Sequence, residues 1–374
     1  MSATTSDLHI PIRWAFYINL VIFAVALPVY IFLLPLADPC HDVPTPVKTR
    51  LSHVDWVGAV LMLGTLLSFT MAINFGGIMY EWSSAQEIAM FVVTGVLFVA
   101  LTAQQYFSLL VRPGDRIFPT QIVAPTAPGA RTVVLVFCAT AAGGAALFVP
   151  INFLPIFFQF ARGDSAREAA VRLLPFIVCS IVMTLGQGAI LGVPGLGLYF
   201  PWYLAGGLAT TAGAALMYTV DADTSTAAVY GYSALLGVGA GSFVQSGFSI
   251  AQASVSLALG HVAAAFVALG QTGGITISLA IGNSVFINRA GDGLAALLPA
   301  VPRGQIQMLI AGVSDREGLV SRLSPELQRR ILEVVVEAIS RTYILVIVAG
   351  AVAAVTGLLM KKERLFLKPA AVGA

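Results

Sequence analysis

Nine segments of this chain are long, apolar and free of Asp, Glu, Lys, Arg and His: Trp14–Leu36, Trp56–Gly77, Ile88–Val111, Thr132–Gln159, Leu173–Gly192, Leu196–Val220, Ala227–Ile250, Val262–Phe286 and Tyr343–Met360. A helix needs about 20 consecutive, mostly apolar residues to cross a bilayer. Backbone groups in hydrocarbon must be satisfied within their own segment or by closure into a barrel. The segments show no period-2 alternation, so they read as helices. Composition agrees, with 58% hydrophobic and 10% charged residues, whereas a soluble domain carries about a quarter charged residues. Such a chain cannot cover itself with polar surface. The expectation is an all-α polytopic membrane protein with the lipid bilayer as its solvent. The first apolar run is too long for a signal-peptide core and shows no small-residue cleavage site, so it reads as a retained anchor.

Several function classes find no support. The net charge of +2 argues against nucleic acid as a partner. Three cysteines make no disulfide framework. Cys138 and Cys179 fall in apolar segments and read as small hydrophobes, and Cys40 reads as a free thiol in a polar loop. His9, His41, His53 and His261 are scattered without metal-ligand spacing, and no phosphate-binding Gly-rich Lys-Ser/Thr motif occurs. No enzyme, cofactor or metal is expected.

The loop from Arg112 to Arg131 holds Pro113, Pro119, Pro125 and Pro128. It separates the first three helices from the last six. Residues 287–342 form a polar excursion in which Ser324-Pro325-Glu326 opens an amphipathic helix, with Leu327, Ile331, Val334 and Ala338 at helical spacing. That helix is expected to rest on the membrane surface or on neighbouring loops. Gly237 with Gly241, and Gly270 with Gly274, are spaced four apart, the pattern of close helix packing in lipid. Pro150 and Pro155 flank Asn152 and Phe153 and suggest kinks or unwound points. In lipid such breaks survive where they are buried in protein or line a cavity, so the fourth helix is the candidate cavity wall.

Several stretches resemble the major facilitator superfamily, in particular its fungal fourteen-helix drug:proton antiporter group. Arg13-Trp14-Ala15-Phe16-Tyr17-Ile18-Asn19 is similar to the segment that opens the family's sixth helix. Val54-Asp55-Trp56-Val57-Gly58 is similar to the start of the first of two extra central helices. Gly143 to Gln159, with Pro150-Ile151-Asn152-Phe153-Leu154-Pro155 at its centre, resembles the first helix of the C-terminal six. Arg162-Gly163-Asp164-Ser165 and Ala170-Val171-Arg172-Leu173-Leu174-Pro175 continue that pattern. Gly260-His261-Val262 and Gly270-Gln271-Thr272-Gly273-Gly274 resemble the penultimate helix.

The resemblance implies a partial major facilitator fold with nine transmembrane helices. Residues 1–36 would be a remnant last helix of the N-terminal bundle. Residues 37–131 would be two central extra helices and linkers, and residues 132–374 a complete C-terminal six-helix bundle. The family's first five helices have no counterpart here, and with them go its basic loop motif and its Gly/Pro antiporter motif. Val21 also stands where the family has Pro, and Ala170 where it has Gly. The implied function is efflux of small amphipathic compounds (drugs, toxins or secondary metabolites) by proton-coupled alternating access. The alternative is a non-transporting, incomplete gene product. The implied location is a multi-pass plasma-membrane protein with a cytoplasmic C-terminus. All four lysines, Lys48, Lys361, Lys362 and Lys368, then lie on the cytoplasmic side.

Proton-coupled carriers commonly place carboxylates in the membrane, yet the nine segments hold none. Glu87 and Glu168 sit at helix edges and read as interfacial charges. Uncharged polar residues remain in and beside the later runs: Asn152, Gln159, Gln187, Gln245, Gln252, Gln271 and Asn283. Each serves as glue between helices or faces an aqueous cavity. The substrate-cavity candidates are Asn152, Phe153, Phe157, Gln159, Gln245 and Gln271, with Phe153, Phe157 or Phe158 able to stack a flat substrate. The cavity face of the six-helix bundle would lack an opposite wall, so self-association through it is expected.

Overall fold

All nine apolar runs fold as helix over most of their described residues. The computed structural model describes residues 5–33, 54–77, 79–112, 114–193, 196–299, 301–302, 306, 310 and 324–364. Among them there is no β-strand, only the isolated bridges Gly76–Tyr80 and Leu198–Arg364. The chain divides into two compact units, residues 1–53 and 54–374. Cys40 and most of the Arg303–Arg322 stretch lie outside the described residues.

The first unit is α1 (Thr5–Pro28), which passes into a π-helical turn at Val29–Leu33. Pro28 has no N–H to donate, and its ring crowds the preceding turn, so the regular ladder cannot continue unchanged. From Tyr17 to Phe32 the described apolar side chains are mostly exposed within this unit.

The second unit begins with a helical hairpin, α2 (Trp56–Phe75) and α3 (Ala85–Phe107). Asp55 caps α2. Its carboxylate accepts from the Gly58 N–H at 2.8 Å, from Gln104 Nε2 at 3.0 Å and from Gln105 Nε2 at 2.6 Å. This buried carboxylate is fully bonded, and it pins the base of one helix to the end of the other. Gln105 also accepts from the Phe118 N–H at 3.0 Å, which ties the following loop to the hairpin.

After the short α4 (Thr120–Val123), six spans follow. They are α5 (Ala130–Ala161), the pair α6 (Ala166–Arg172) and α7 (Leu174–Leu191), α8 (Phe200–Tyr218), the pair α9 (Thr226–Gly241) and α10 (Ser246–Ala253), α11 (Gly260–Leu297) and α12 (Pro325–Leu359). α12 packs most extensively on α8 and also on α5. α11 packs on α5 and α12, and α9 packs on α7 and α8. The hairpin joins this bundle through α2 on α11.

Seven helices among the described residues are long and apolar enough to cross a membrane. Two of the nine expected spans fall outside that set. One is the apolar part of α1, which is short (Tyr17–Phe32). The other is α8, a 19-residue helix built largely of glycine, alanine and threonine. Its composition answers to packing. A methyl on Gly207 would strike Ala354 and the Gly350 carbonyl, and one on Gly213 would strike Leu236. Small residues let α8 sit backbone to backbone between α9 and α12, and their low hydropathy follows from that role.

Three expectations need correction. α5 runs as one 32-residue helix through Pro150 and Pro155 without an unwound turn. Each proline removes one backbone donor, while the helix around them is held by buried contacts from Ala145 to Phe158. The break comes instead in the run Ala227–Ile250, where α9 ends at Gly241 and α10 begins at Ser246. There Thr184 Oγ1 donates to the Gly241 carbonyl at 3.1 Å and Ser242 Oγ to the Val238 carbonyl at 2.6 Å. Carbonyls released by the break are thus satisfied within the protein. Finally, the amphipathic stretch after Ser324 is not a separate surface helix. It is the first half of the continuous 35-residue α12. Its apolar face is buried, with Ile331 6%, Val335 1% and Ala338 2% exposed, and Val334 packs where α11 has Gly293. Ser324 does cap it, accepting from the Leu327 N–H at 3.4 Å.

α11 and α12 are therefore longer than a bilayer requires. At about 1.5 Å per residue, each exceeds a hydrocarbon core of about 30 Å. Their extensions meet at one end of the unit, called here the upper end. Arg329 pairs with Asp223 at 2.9 Å, and Ser340 Oγ donates to the Val220 carbonyl at 2.7 Å. Arg162 bonds the carbonyls of Ala222 and Thr224, and Asn288 Nδ2 donates to the Gly76 carbonyl at 3.3 Å. At the lower end, the Gly129 backbone lies against Ser254, Phe118 meets Phe266 edge-on at 6.1 Å, and Leu198 bridges to Arg364.

Candidate functional site

α5 and α11 cross so closely that side chains are excluded at the contact. A methyl on Gly274 would collide with the Ala141 carbonyl, and one on Gly144 with the backbone of Gly274 and Ile275. Gly270 lies against the Phe137 ring, which stacks on Phe266 at 4.3 Å. On α9, Gly237 faces the Phe176 carbonyl and Gly241 the Ser180 carbonyl, both on α7. The four spaced glycines thus lie at two helix crossings that fix where the bundle's polar side chains stand.

Two amide pairs flank the α5–α11 crossing. Asn152 Nδ2 on α5 donates to Asn283 Oδ1 on α11 at 3.3 Å. Gln271 Nε2 on α11 donates to Gln245 Oε1 at 3.4 Å, and Gln245 stands in the break between α9 and α10. Asn152, Gln271 and Asn283 are half-buried and Gln245 is exposed. The second pair is open at its Gln245 end, which is exposed. Both pairs keep hydrogen-bonding capacity unspent, because an amide offers two donors and two lone pairs. The arrangement can bind an uncharged polar group presented by an apolar molecule. It holds no acid or base.

The other candidates fall elsewhere. Phe153 is 0% and Phe157 1% exposed. Phe153 meets Phe286 edge-on at 5.7 Å and Phe157 meets Phe158 at 5.3 Å, so both pack the core between helices. Gln159 is half-buried further along α5, and Gln252 is exposed on α10. Gln187 is buried on α7, with its Nε2 unpartnered among the described residues.

Three features escaped the sequence reading. Glu87 stands at a helix edge, where an interfacial charge is expected, yet it is 0% exposed and neither carboxyl oxygen has a hydrogen-bond partner among the described residues. Like Asp55 at the start of α2, it is a buried carboxyl group at the start of a spanning helix. Its place three residues after Ser84 reads as a cap position, and Ser84 Oγ does accept from the Glu87 N–H at 3.3 Å. Burial of the side chain follows from how the turn before α3 folds, which periodicity does not report. Second, Tyr203, Ser246 and Thr140 bring three hydroxyls together near Gly247, below the helix break. Ser246 Oγ lies 3.4 Å from the Tyr203 hydroxyl, and Thr140 Oγ1 stays unpartnered among the described residues. Third, a cavity of about 740 Å3 opens at the upper end between α11 and α12. It is lined by Trp82, Asn288, Arg289, Asp292, Glu337 and Arg341 among others. Its charged lining contrasts with the neutral amides deeper in the bundle.

No family model matches the chain. Curated proteins do. The chain is 41% identical over 355 residues to the MFS-type transporter pgmG of Aspergillus terreus, an alignment covering 95% of this chain and 61% of that protein. It is 38% identical over 379 residues to the phomenoic acid biosynthesis cluster MFS-type transporter of Leptosphaeria maculans, covering 96% and 58%. It is 39% identical over 359 residues to the efflux pump alnA of Emericella nidulans, covering 96% and 64%. The chain spans about six-tenths of the length of the curated relatives it matches. With an all-helical fold among the described residues and seven helices suited to a bilayer, the chain is similar along nearly its whole length to transporters of the major facilitator superfamily.

Proposed function

We propose that this chain works in membrane efflux of small amphipathic organic compounds, by alternating access driven by a proton gradient. The observation that carries the reading is the alignment of 95–96% of the chain with proteins named as MFS-type transporters and efflux pumps. The paired amides at the α5–α11 crossing support it. In a major facilitator carrier two helical halves rock about a midplane site, and half-buried amides with hydrogen-bonding capacity to spare suit such a site. In this reading residues 132–374 form the C-terminal six-helix bundle. Residues 37–131 form two central helices with their linkers, and residues 1–36 belong to the N-terminal bundle. Transport, not catalysis, is the activity, and the plasma membrane is its place. The lower end faces the cytoplasm. The two described lysines, Lys361 and Lys362, both lie there, and an excess of lysine and arginine marks short cytoplasmic loops.

The test is accumulation of a hydrophobic dye, rhodamine 6G, in a yeast strain lacking its own drug pumps. Expression of the chain is expected to lower accumulation. Unchanged accumulation, with insertion in the plasma membrane confirmed, contradicts the reading. The open amide face also leads us to expect self-association. Light scattering on the purified protein in detergent should give a mass above that of one chain, and a monodisperse monomer would count against that part.

A further inference from the structure

At the lower end, basic side chains from separate parts of the chain gather around one short segment, Leu198–Trp202. Arg364, beyond the end of α12, pairs its backbone with Leu198. Lys362 places its ammonium 5.8 Å from the centre of the Phe200 ring. Tyr199 is hydrogen-bonded to Thr132, which brings the neighbouring Arg131 at the start of α5 to the same place. Lys361 completes the group, with its side chain 52% exposed and a 3.5 Å contact to Glu363. Four cations and one acid, Glu363, thus stand at or next to the positions that meet this segment. Arg131, Lys362 and Arg364 are exposed, and none has an ion pair among the described residues.

The helices themselves do not account for this placement. Lysines just past the end of α12 suit the negative end of its dipole, but Arg131 stands in the first turn of α5, where a cation is disfavoured. Phe200 likewise opens α8, so Lys362 also lies beside a helix start. An anion from outside the chain would offset the excess positive charge here. The location restricts which anion. Spanning helices α5 and α12 end here, and half-buried Phe200 and Trp202 sit beside the charges. Aromatic rings at the start or end of spans lie at headgroup level in a bilayer.

We propose that Arg131, Lys361, Lys362 and Arg364, around Leu198–Trp202, form a binding site for the phosphate of an anionic phospholipid headgroup in the leaflet at the lower end. The cations take the phosphate oxygens, while Phe200 and Trp202 lie against the glycerol and upper acyl region. Basic clusters beside a spanning helix each add to the attraction for anionic lipid. The site is separate from the amide pairs, and the inference does not depend on transport.

The experiment uses the full chain in nanodiscs of phosphatidylcholine with a minor fraction of phosphatidylglycerol. Lipid co-purified after extraction is then counted by native mass spectrometry. The wild type should retain phosphatidylglycerol well above its share of the disc. Replacing Arg131, Lys361, Lys362 and Arg364 together by Gln should abolish that enrichment, each residue accounting for about fivefold. R131Q alone serves if the fourfold variant fails to fold, and it should reduce enrichment by about that single factor. R329Q/R330Q, at the upper end, should keep the wild-type enrichment. No enrichment in the wild type, or equal enrichment in the R131Q and fourfold variants, overturns the proposal. Displacement of the retained lipid by millimolar inorganic phosphate would also overturn it, because the site would then belong to a free anion.

Discussion

Gly273 and Gly274 are neighbours in sequence with opposite surroundings. A methyl on Gly274 meets the Ala141 backbone, while one on Gly273 meets open space. Gly274→Ala should therefore destabilise the protein by about 1–3 kcal/mol through overpacking at the α5–α11 crossing. Gly273→Ala should leave the melting temperature in detergent unchanged or slightly raised, since alanine is the better helix former. Equal shifts from the two would contradict the crossing. The amides are a matter of affinity. Asn152→Leu and Gln271→Leu should each raise the KM for dye transport about fivefold, the effect of one hydrogen bond of about 1 kcal/mol, with turnover and melting temperature nearly constant. A fall in turnover together with a lower melting temperature would mean that the pairs are structural glue. At this scale the sequence was informative about type and less so about place. Four-residue glycine spacing marked both crossings. An amide in an apolar run announces a hydrogen bond without saying which helix answers it, so Asn283 became meaningful only beside Asn152. The burial of Phe153 depends on where α11 sits, which no local pattern encodes.

Among the elements, α12 departs most from what its sequence suggests. Its first half is amphipathic and its second half apolar, so polarity alone divides it at about Tyr343. The backbone does not divide, because the apolar stripe Ile331–Val335–Ala338 continues the buried face into the span. Hydrogen exchange in detergent should show continuous protection of the amides from Ile331 to Val346. Rapid exchange confined to residues 340–343 would instead restore a separate surface helix. The break between α9 and α10 shows the reverse. Gly239, Ala240, Gly241 and Ser242 look like ordinary small residues of a packed span, and no proline or charge marks the end of α9. What ends the helix there is tertiary: Thr184 takes the Gly241 carbonyl, and the hydroxyl of Ser246 turns back to the Phe243 carbonyl at 3.0 Å. Exchange at Phe243–Gln245 should be faster than on either side. Uniform protection from Ala240 through Ile250 would contradict the break.

For the molecule as a whole, the decision for lipid and helices rested on nine uncharged runs and needed no tertiary information. Packing then determined which of them look apolar, as the small-residue α8 shows. The carboxyl groups of Asp55 and Glu87 are buried at the starts of α2 and α3, which the pattern does not advertise. The bundle carries neutral hydrogen-bonding pairs among its helices and a basic cluster at its lower end, and the proposed efflux activity requires the bundle to operate in a membrane. Reconstitution tests that requirement without other cellular pumps. Purified full-length chain in sealed proteoliposomes, with a pH gradient imposed across the bilayer, should drive rhodamine 6G across the membrane at a rate that collapses when a protonophore is added. A dye flux equal to that of protein-free vesicles, in liposomes shown to contain inserted protein, would contradict the account.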